Sequence, residues 1–215
     1  LLNQTIQSIC VYFFSNITNW SYYCISISLF GEIIRIITVG YVPAGTSGRN
    51  TKKQRAKYLN TTGIYSTVRH PLYLGNFIIW LGILMYFFNI WLFIITSLIY
   101  LIYYERIMFA EENYLLKKFG NRYKIWSNKT PIIIPSTTWY EKSNNSFSIR
   151  TIFLREYTGL FGLFVGFTIL EIFKSLCKMG YISISVEWII FSVMALILYI
   201  LFRSLKKYTD ILKVK

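Results

Sequence analysis

The sequence predicts an all-α protein, a polytopic membrane protein with five to six transmembrane helices. Only 15% of its 215 residues are charged, whereas 54% are hydrophobic and 19% are aromatic. A soluble domain carries about 25% charged residues, so this chain has too few charges to cover a surface that faces water. The apolar residues also come in long blocks, each near the length that crosses a bilayer. We therefore expect an integral membrane protein.

Five apolar segments are predicted to be membrane helices. They are Trp20–Val42, Leu72–Phe88, Ile90–Tyr104, Tyr157–Leu176 and Ile182–Phe202. A further stretch, Ile6–Phe14, is about half a span long and is expected to be the end of a sixth helix. Pro71 suits the first turn of the second helix, because the missing N–H costs nothing there. Asn89 is predicted to reverse the chain, so that the second and third segments form a helical hairpin.

The region after the hairpin is predicted to be mostly polar and irregular. Glu105–Phe119 is expected to continue the third span as an amphipathic helix, and Gly120 is a suitable residue to end it. Asn121–Arg155 is predicted to be a loop. Within it, Pro131-Ile-Ile-Ile-Pro135 cannot be regular helix and indicates an extended strap.

Lysine and arginine residues are concentrated on one side of the predicted helices. Alternating spans place residues 43–71, 105–155 and 203–215 on the same side, and these three segments hold 20 of the 23 basic residues. Because cytosolic loops carry the excess of basic residues, we expect this side to face the cytosol. Basic loops that face anionic lipid head groups account for the net charge of +14 without a nucleic-acid partner.

Cysteine and histidine usage indicates neither a disulfide framework nor a metal site. Cys10, Cys24 and Cys177 stand singly in apolar segments, and the chain has one histidine, His70. No CxxC pair and no Cys/His spacing of a zinc site occurs. We expect the cysteines to be small buried hydrophobic residues and no metal to be bound.

Two polar clusters are predicted to meet at the cytosolic end of the hairpin. His70 comes directly before the second span, and residues 105–112 follow the third. Because the two helices are joined at Asn89, their other ends must be neighbours. The sequence therefore predicts a pocket on the cytosolic side, where the hairpin leaves the membrane.

The residue types of these clusters are suited to a zwitterionic ligand. Glu111 or Glu112 can accept hydrogen bonds from an ammonium group, whereas Arg69 or Arg106 can bind a carboxylate or phosphate. His70 can donate or accept a proton near neutral pH. Each residue alone also has a plainer explanation, such as a solvated helix face or an interfacial side chain.

The two clusters are parts of one longer pattern. It reads Thr62-Gly-Ile-Tyr-x-x-Val-Arg-His-Pro-x-Tyr-x-Gly75, followed about 35 residues later by Glu111-Glu-x-x-Leu-x-x-x-Phe-Gly-x-x-Tyr123, and then by Pro131 and Pro135. Over this region the chain resembles the isoprenylcysteine carboxyl methyltransferase family of membrane enzymes, which is related to the phospholipid methyltransferases.

This resemblance implies a binding site for S-adenosylmethionine at the hairpin. The positions that correspond to the family's cofactor contacts are Leu59, Asn60, Tyr65, His70, Pro71, Leu72, Tyr73, Glu111 and Glu112. It also implies methyl transfer to an acceptor, which we expect to be lipidic because the site opens at the bilayer surface. The basic, glycine- and serine-containing stretch 41–60 favours an anionic lipid with a phosphate over an isoprenylcysteine-like carboxylate. Residues 1–215 are then one methyltransferase domain, with its motifs at 57–135 and additional membrane helices at 157–202.

The two arginines near the motifs are the candidates for catalytic work. An anionic acceptor is already a nucleophile at neutral pH, so the enzyme has to position it and exclude water. Arg69 and Arg106 are predicted to orient that anion. The family has an arginine four residues before the first motif glutamate, where this chain has Ile107 beside Arg106. An amine acceptor would instead need a base, for which His70 is the obvious residue.

Two other classes of function fit parts of the sequence. An NADPH-dependent reductase of the sterol-reductase type has a related membrane fold, but Glu-Glu-x-x-Leu together with Arg-His-Pro favours the methyltransferase. A scaffold or transporter is the other alternative, and transport requires polar residues at mid-span. Glu32, Arg35, Glu171 and Glu187 qualify, but they form no pathway in the sequence. Glu32 and Arg35 are expected to neutralise each other across one helical turn.

Overall fold

The computed structural model describes Phe14, residues 19–43 and residues 56–209. Every regular element within these ranges is helical, which confirms the all-α class. Most of the predicted sixth segment, together with Cys10 and the glycine-rich loop after Pro43, lies outside the described residues.

Six α-helices and one short 3₁₀ helix make up the described chain. They are α1 (Trp20–Tyr41), the 3₁₀ helix (Gly63–Ser66), α2 (Pro71–Tyr86), α3 (Ile90–Phe119), α4 (Asn121–Lys129), α5 (Ile149–Met179) and α6 (Val186–Tyr208). Helices α1, α3, α5 and α6 are long and apolar enough to cross a membrane. Helix α2 is apolar but has only 16 residues. The total of five to six spans therefore stays a prediction.

The predicted hairpin is present, and α3 is one continuous helix of 30 residues. The reversal is made by Phe88, which has a φ of 40°, and by Asn89, whose side chain accepts a hydrogen bond from the Leu92 amide at 2.9 Å. Gly120 ends α3 with a φ of 53°, as its sequence position predicts.

The prediction of a loop over 121–155 was wrong at both ends of that region. Residues Asn121–Lys129 form α4, and α5 begins at Ile149 instead of Tyr157. The start of α5 is capped by Ser148, whose hydroxyl oxygen accepts from the Thr151 amide at 3.3 Å. Between the two helices, Pro131–Pro135 is not helical, which agrees with the predicted strap.

Helices α1 and α2 pack with their backbones in close contact. A Cβ atom on Gly31 would lie 2.6 Å from the Gly75 carbonyl oxygen and 2.8 Å from the Ile79 nitrogen. The Ser28 hydroxyl donates to the Ile79 carbonyl at 2.9 Å. Glycine is therefore needed at this crossing, because any side chain would force the helices apart.

A buried charged cluster joins α1 to α2 and α5. The predicted pair is confirmed, with Arg35 Nε 3.4 Å from Glu32 Oε2. The same guanidinium donates to Glu156 Oε2 of α5 at 2.6 and 3.1 Å, and it also donates to the side-chain oxygen of Asn76. Both glutamates are only 2% exposed. The arginine thus pairs with two carboxylates in a place where unpaired charges would be costly.

The hydrophobic core lies at the end of the bundle that holds the α2–α3 reversal. Its fully buried side chains are Cys24 of α1 and Phe167 of α5, and Tyr86 and Trp188 are almost as deeply buried. The Trp20 indole donates to the Met85 carbonyl at 2.9 Å, which fixes the start of α1 against the end of α2. Because α1 and α2 run antiparallel, the His70 end of α2 lies at the opposite end of the bundle.

Candidate functional site

The segment before α2 is held in place by the strap and by the chain that follows it. The Gly63 amide donates to the Glu141 carbonyl at 2.8 Å, and the Ser136 amide donates to the Thr67 carbonyl at 2.9 Å. Gly63 has a φ of 64°, a conformation that favours glycine. Val68 is fully buried beneath this segment. These contacts bring the first half of the motif against residues about 70 positions later in the chain.

His70 directly precedes α2 and faces both glutamates of α3. Its Nε2 lies 3.1 Å from Glu112 Oε1, and its Nδ1 lies 3.7 Å from Glu111 Oε2. The Tyr73 hydroxyl donates to Glu111 Oε2 at 2.8 Å. The rings of His70 and Tyr73 stack with their centroids 5.3 Å apart. His70 is 7% exposed, so it is part of the fold's interior and not a surface residue.

Arg69 joins the loop, α3 and the strap. Its Nη1 donates to both carboxylate oxygens of Glu112 at 2.9 Å, and its Nε donates to the Thr130 carbonyl at 2.7 Å. Its backbone amide donates to the Pro131 carbonyl at 2.9 Å. Charge-assisted bonds of this kind are strong. Arg69 therefore fixes Glu112 and the start of the strap in one arrangement.

Polar contacts continue from Tyr73 into the apolar part of the bundle. The Tyr73 ring meets Tyr104 edge-on at 5.2 Å, and its carbonyl accepts from the Tyr100 hydroxyl at 3.3 Å. Asn76 Nδ2 lies 3.4 Å from the Tyr104 hydroxyl, and the Asn76 oxygen accepts from Arg35. The cluster at the helix ends is thus connected to the buried charges of α1 and α5.

Two tyrosines beside the glutamates keep their protons at neutral pH. Burial raises the pKa of the Tyr65 hydroxyl well above its usual value, and the nearby Glu111 carboxylate raises it further. Burial also raises the pKa of Tyr123 to about 12, with the Glu112 carboxylate as the next contribution. Both groups consequently remain neutral hydroxyls that can donate a hydrogen bond.

The structure brings most of the predicted site residues together but leaves one apart. Five side chains make direct polar contacts within the cluster: Arg69, His70, Tyr73, Glu111 and Glu112. Pro71 and Leu72 begin α2, Tyr65 lies in the 3₁₀ helix, and the buried Leu59 and half-buried Asn60 precede it.

Arg106 is not brought to the cluster. It lies five residues before Glu111, roughly 140° away around α3, and its side chain is exposed. Ile107, at the position where the family has its arginine, is half-buried instead. The α3 helix is regular through this region, so no local shift moves Arg106 onto the face of the glutamates.

Sequence reasoning missed several residues that complete the cluster. Asn76 and Tyr104 were hidden within apolar segments, although Tyr100 and Tyr104 are one turn apart and a polar residue in a short apolar helix is itself a signal. Thr130 takes part through its carbonyl, which no sequence motif reports. Glu156 was missed because Glu32 already offered Arg35 a local partner.

The arrangement is suited to hold a group that carries positive charge. Glu112 is neutralised by Arg69, whereas Glu111 contacts only the tyrosine hydroxyl and the imidazole within the described residues. Its side chain is 37% exposed and can therefore accept from a ligand's ammonium group. The tyrosine faces beside it are suited to a second cationic centre.

Comparisons with known proteins match the part of the chain that contains this cluster. Residues 43–122 match the family model described as phospholipid methyltransferase. A stretch of 85 residues is 36% identical to the Protein-S-isoprenylcysteine O-methyltransferase of Schizosaccharomyces pombe. That alignment covers 40% of this chain and 36% of the relative, so the chain matches about a third of the relative's length. No solved structure matches the chain.

Over residues 43–122, which carry both halves of the motif, the chain is similar to membrane methyltransferases. The predicted resemblance to the isoprenylcysteine carboxyl methyltransferase and phospholipid methyltransferase families is confirmed. The matched region contains all five side chains of the polar cluster, whereas α1, α5 and α6 lie outside it.

Proposed function

We propose that this chain transfers a methyl group from S-adenosylmethionine to a lipidic acceptor in the membrane. The observation that carries the proposal is the convergence of His70, Tyr73 and Glu111 where α2 begins and the apolar part of α3 gives way to its polar part. These residues come from both halves of the motif and lie within the region that matches the methyltransferase families. The four long apolar helices support a membrane setting for the reaction.

The proposed cofactor contacts follow from the charges of the cluster. Glu111 would accept from the amino group, and an outer face of the His70–Tyr73 ring stack would lie against the cationic centre. The Tyr65 hydroxyl, which stays protonated, would donate a hydrogen bond. When bound, S-adenosylmethionine supplies an activated methyl group. The residues Leu59, Asn60, Pro71, Leu72 and Glu112 are proposed as the surrounding wall.

The two arginines are proposed to act differently from each other. Arg69 is engaged by Glu112 and Thr130, so its role would be to hold Glu112 and the strap in position. Arg106 is exposed on another face of α3, where it could contact an anionic head group at the membrane surface. We propose a phosphate-bearing lipid or an isoprenylcysteine-like carboxylate as the acceptor, since neither needs a general base.

The setting of the reaction is also part of the proposal. We propose that residues 1–215 act as one multi-pass membrane domain, with the motifs at 57–135 and the additional helices α5 and α6 after them. The site would face the cytosol, because the basic segments lie at its end of the bundle. Neither a nucleic acid nor a metal ion is required by this mechanism.

Cofactor binding is the direct test. Full-length protein in detergent is titrated with S-adenosylmethionine and with NADPH, and the shift in melting temperature is recorded for each. We expect stabilisation by S-adenosylmethionine, and a loss of that shift in Glu111→Ala and His70→Ala. Glu105→Ala, an exposed glutamate of the same helix, is the matched control and should bind normally. Stabilisation by NADPH alone would instead support the reductase.

The acceptor class is tested in membranes. Membranes that contain the protein are incubated with methyl-labelled S-adenosylmethionine, and lipid and protein fractions are then separated. Label in the lipid fraction that depends on Glu111 supports a lipid acceptor. Label confined to protein would support a prenylated protein terminus instead, and the absence of label in both fractions would contradict the proposed activity.

A further inference from the structure

A small cavity lies beside the site, between α4, the start of the motif and the segment after the strap. Its volume is about 200 Å³. The side chains that give it chemical character are Arg122, Trp126, Lys129, Trp139 and Glu141. We refer to it as the α4 cavity. None of its lining residues is a predicted cofactor residue, and no motif of the sequence pointed to the cavity.

The α4 cavity carries a positive charge. Arg122 and Lys129 are seven residues apart on α4, which places them on the same side of the helix. Both are exposed, and neither forms an ion pair with any described residue. Glu141 supplies one negative charge, so the lining is cationic overall. An anion is therefore the ligand that this lining favours.

The walls of the cavity include two tryptophans, and several wall residues are held in place by contacts with the rest of the protein. The Trp126 indole N–H donates to the Tyr65 carbonyl at 3.0 Å. Lys129 Nζ lies 5.8 Å from the centre of the Trp139 ring. Thr130, another lining residue, gives its carbonyl to Arg69. Because the Trp126 N–H and the Thr130 carbonyl are used internally, the charged groups of Arg122, Lys129 and Glu141 are the ones that a ligand would meet.

We propose that the α4 cavity is a second binding site, which takes a phosphate ester. An arginine binds phosphate through paired hydrogen bonds, and a lysine adds a point charge. The Trp126 and Trp139 faces and Ile125 would pack against the organic part of the ester. A volume of about 200 Å³ holds roughly six or seven water molecules at about 30 Å³ each, which is enough for a phosphate with a glycerol-sized group.

The cavity is connected to the candidate site through two hydrogen bonds. One runs from Trp126 to Tyr65, and the other runs from Arg69 to Thr130. A ligand that fixes α4 would thus also fix two residues of the proposed methyltransferase site. The binding proposal itself does not depend on methyl transfer, since it concerns different side chains and is tested without S-adenosylmethionine.

The test is calorimetric titration of the full chain in a phosphate-free maltoside detergent. The ligands are glycerol 3-phosphate, which is water-soluble, and a short-chain phosphatidic acid, with the corresponding diacylglycerol as the uncharged reference. We expect saturable binding of one phosphate ester per chain and none of diacylglycerol. Tight binding of glycerol 3-phosphate would identify a soluble source, whereas binding of phosphatidic acid alone would identify a lipid head group.

Matched double variants decide whether the cavity is responsible. Arg122→Gln/Lys129→Gln removes both cationic lining residues, and the Kd should rise at least tenfold. Lys117→Gln/Lys124→Gln removes the same charge from exposed residues outside the cavity, and its Kd should stay within twofold of wild type. The single variant Lys129→Gln is used if the first double variant does not fold. Equal weakening in both double variants, or no saturable binding of either ester, would overturn the proposal.

Discussion

Glu111 and Glu112 are neighbours in the chain but have different surroundings. Glu112 is 23% exposed, both of its oxygens accept from Nη1 of Arg69, and the imidazole of His70 lies 3.1 Å from one of them. Glu111 is more exposed and receives one hydrogen bond, from Tyr73. Glu112 therefore helps to hold the site in shape, whereas Glu111 is the carboxylate that stays accessible to a ligand. Two adjacent carboxylates thus have separate tasks because of what each one contacts.

The Tyr73 hydroxyl orients the carboxylate that we assign to the ligand, so its removal should weaken binding and not folding. In Tyr73→Phe the ring and its stacking on His70 are kept, and only the hydrogen bond of 2.8 Å is lost. A single hydrogen bond contributes about 0.5–1.5 kcal/mol, so the Kd for S-adenosylmethionine should rise about 2- to 10-fold. The Kd is measured by equilibrium dialysis of the detergent-solubilised protein.

Tyr103→Phe is the matched control for this substitution. Tyr103 lies on the exposed side of α3, and its hydroxyl makes no described hydrogen bond. Its variant should bind S-adenosylmethionine as wild type does. An unchanged Kd in Tyr73→Phe as well would mean that Glu111 does not depend on this hydroxyl for its position.

Among the helices, the apolar ones could be predicted from the sequence, whereas the polar helix α4 and the polar start of α5 could not. Hydropathy predicted α1, α2, α3, α5 and α6, because long apolar segments with few charges are typical of membrane helices. It failed for α4, whose residues Asn121–Lys129 are mostly polar and follow a helix-ending glycine. It also failed for the first two turns of α5, where Arg150, Arg155 and Glu156 interrupt the apolar pattern.

The candidate site was predictable for a related reason. His70 and Glu112 are 42 residues apart, but the hairpin between them is short and its reversal at Asn89 is marked, so their meeting followed from topology. The contacts of Arg35 with Glu156 and of Arg69 with Thr130 span 121 and 61 residues, and no local pattern reports them. Long-range packing decides such contacts, and one sequence does not show it.

The buried link between α1 and α5 should make a large contribution to stability. In Glu156→Gln, Arg35 loses the charge of a partner at 2.6 Å and keeps Glu32 at 3.4 Å as a charged partner, together with its bond to Asn76. Breaking a buried ion pair costs about 3–5 kcal/mol, and we expect the lower end because Glu32 remains. The free energy of unfolding is measured by titration with a denaturing detergent.

The exposed Glu105 provides the control for this substitution. Glu105→Gln makes the same chemical change in a helix, but Glu105 forms no described ion pair. Its variant should unfold at the wild-type detergent concentration. Equal stability of Glu156→Gln and Glu105→Gln would show that the helices are held by apolar packing alone.

The close crossing of α1 and α2 leads to a second prediction for the elements. Gly31→Ala would place a Cβ atom within 3 Å of backbone atoms of α2, and backbone cannot move aside as a flexible side chain does. Overpacking of this kind costs about 1–3 kcal/mol, so thermal unfolding should begin at a lower temperature. Because α2 begins at the site, we also expect weaker cofactor binding.

A glycine in open surroundings serves as the comparison. Gly162 of α5 has no heavy atom within 4 Å of the position that a Cβ would take. Gly162→Ala should therefore leave the melting temperature unchanged or raise it slightly, since alanine favours helix over glycine. A lower melting temperature in Gly162→Ala than in Gly31→Ala would contradict the assignment of the crossing.

At the scale of the whole molecule, the described chain has two chemically different ends. The site, α4 and the strap lie at one end, whereas the α2–α3 reversal and the turn between α5 and α6 lie at the other. The apolar core is concentrated near the second end. The candidate site and the apolar core therefore lie at opposite ends of the described chain.

Because the two ends are expected to face opposite sides of the membrane, single cysteines placed at each end should differ in their labelling in intact cells. In a variant whose native cysteines are replaced, a cysteine at Lys142 should react with an impermeant maleimide only after permeabilisation. A cysteine at Ser183 should react without it. Both positions are exposed, so access to the membrane side decides the result. The opposite labelling pattern would reverse the orientation that the basic loops predict.

The unbroken course of α3 has a consequence for the choice of substrate. Glu111 and Tyr104 lie on one regular helix, seven residues apart, so their separation along its axis is set at about 10 Å by the helix rise. Glu111 lies in the polar part of the helix, and Tyr104 lies in its apolar part. A substrate that contacts both residues would have to match this fixed spacing. Molecules would be selected by how far below the membrane surface their reactive atom sits, as well as by what that atom is.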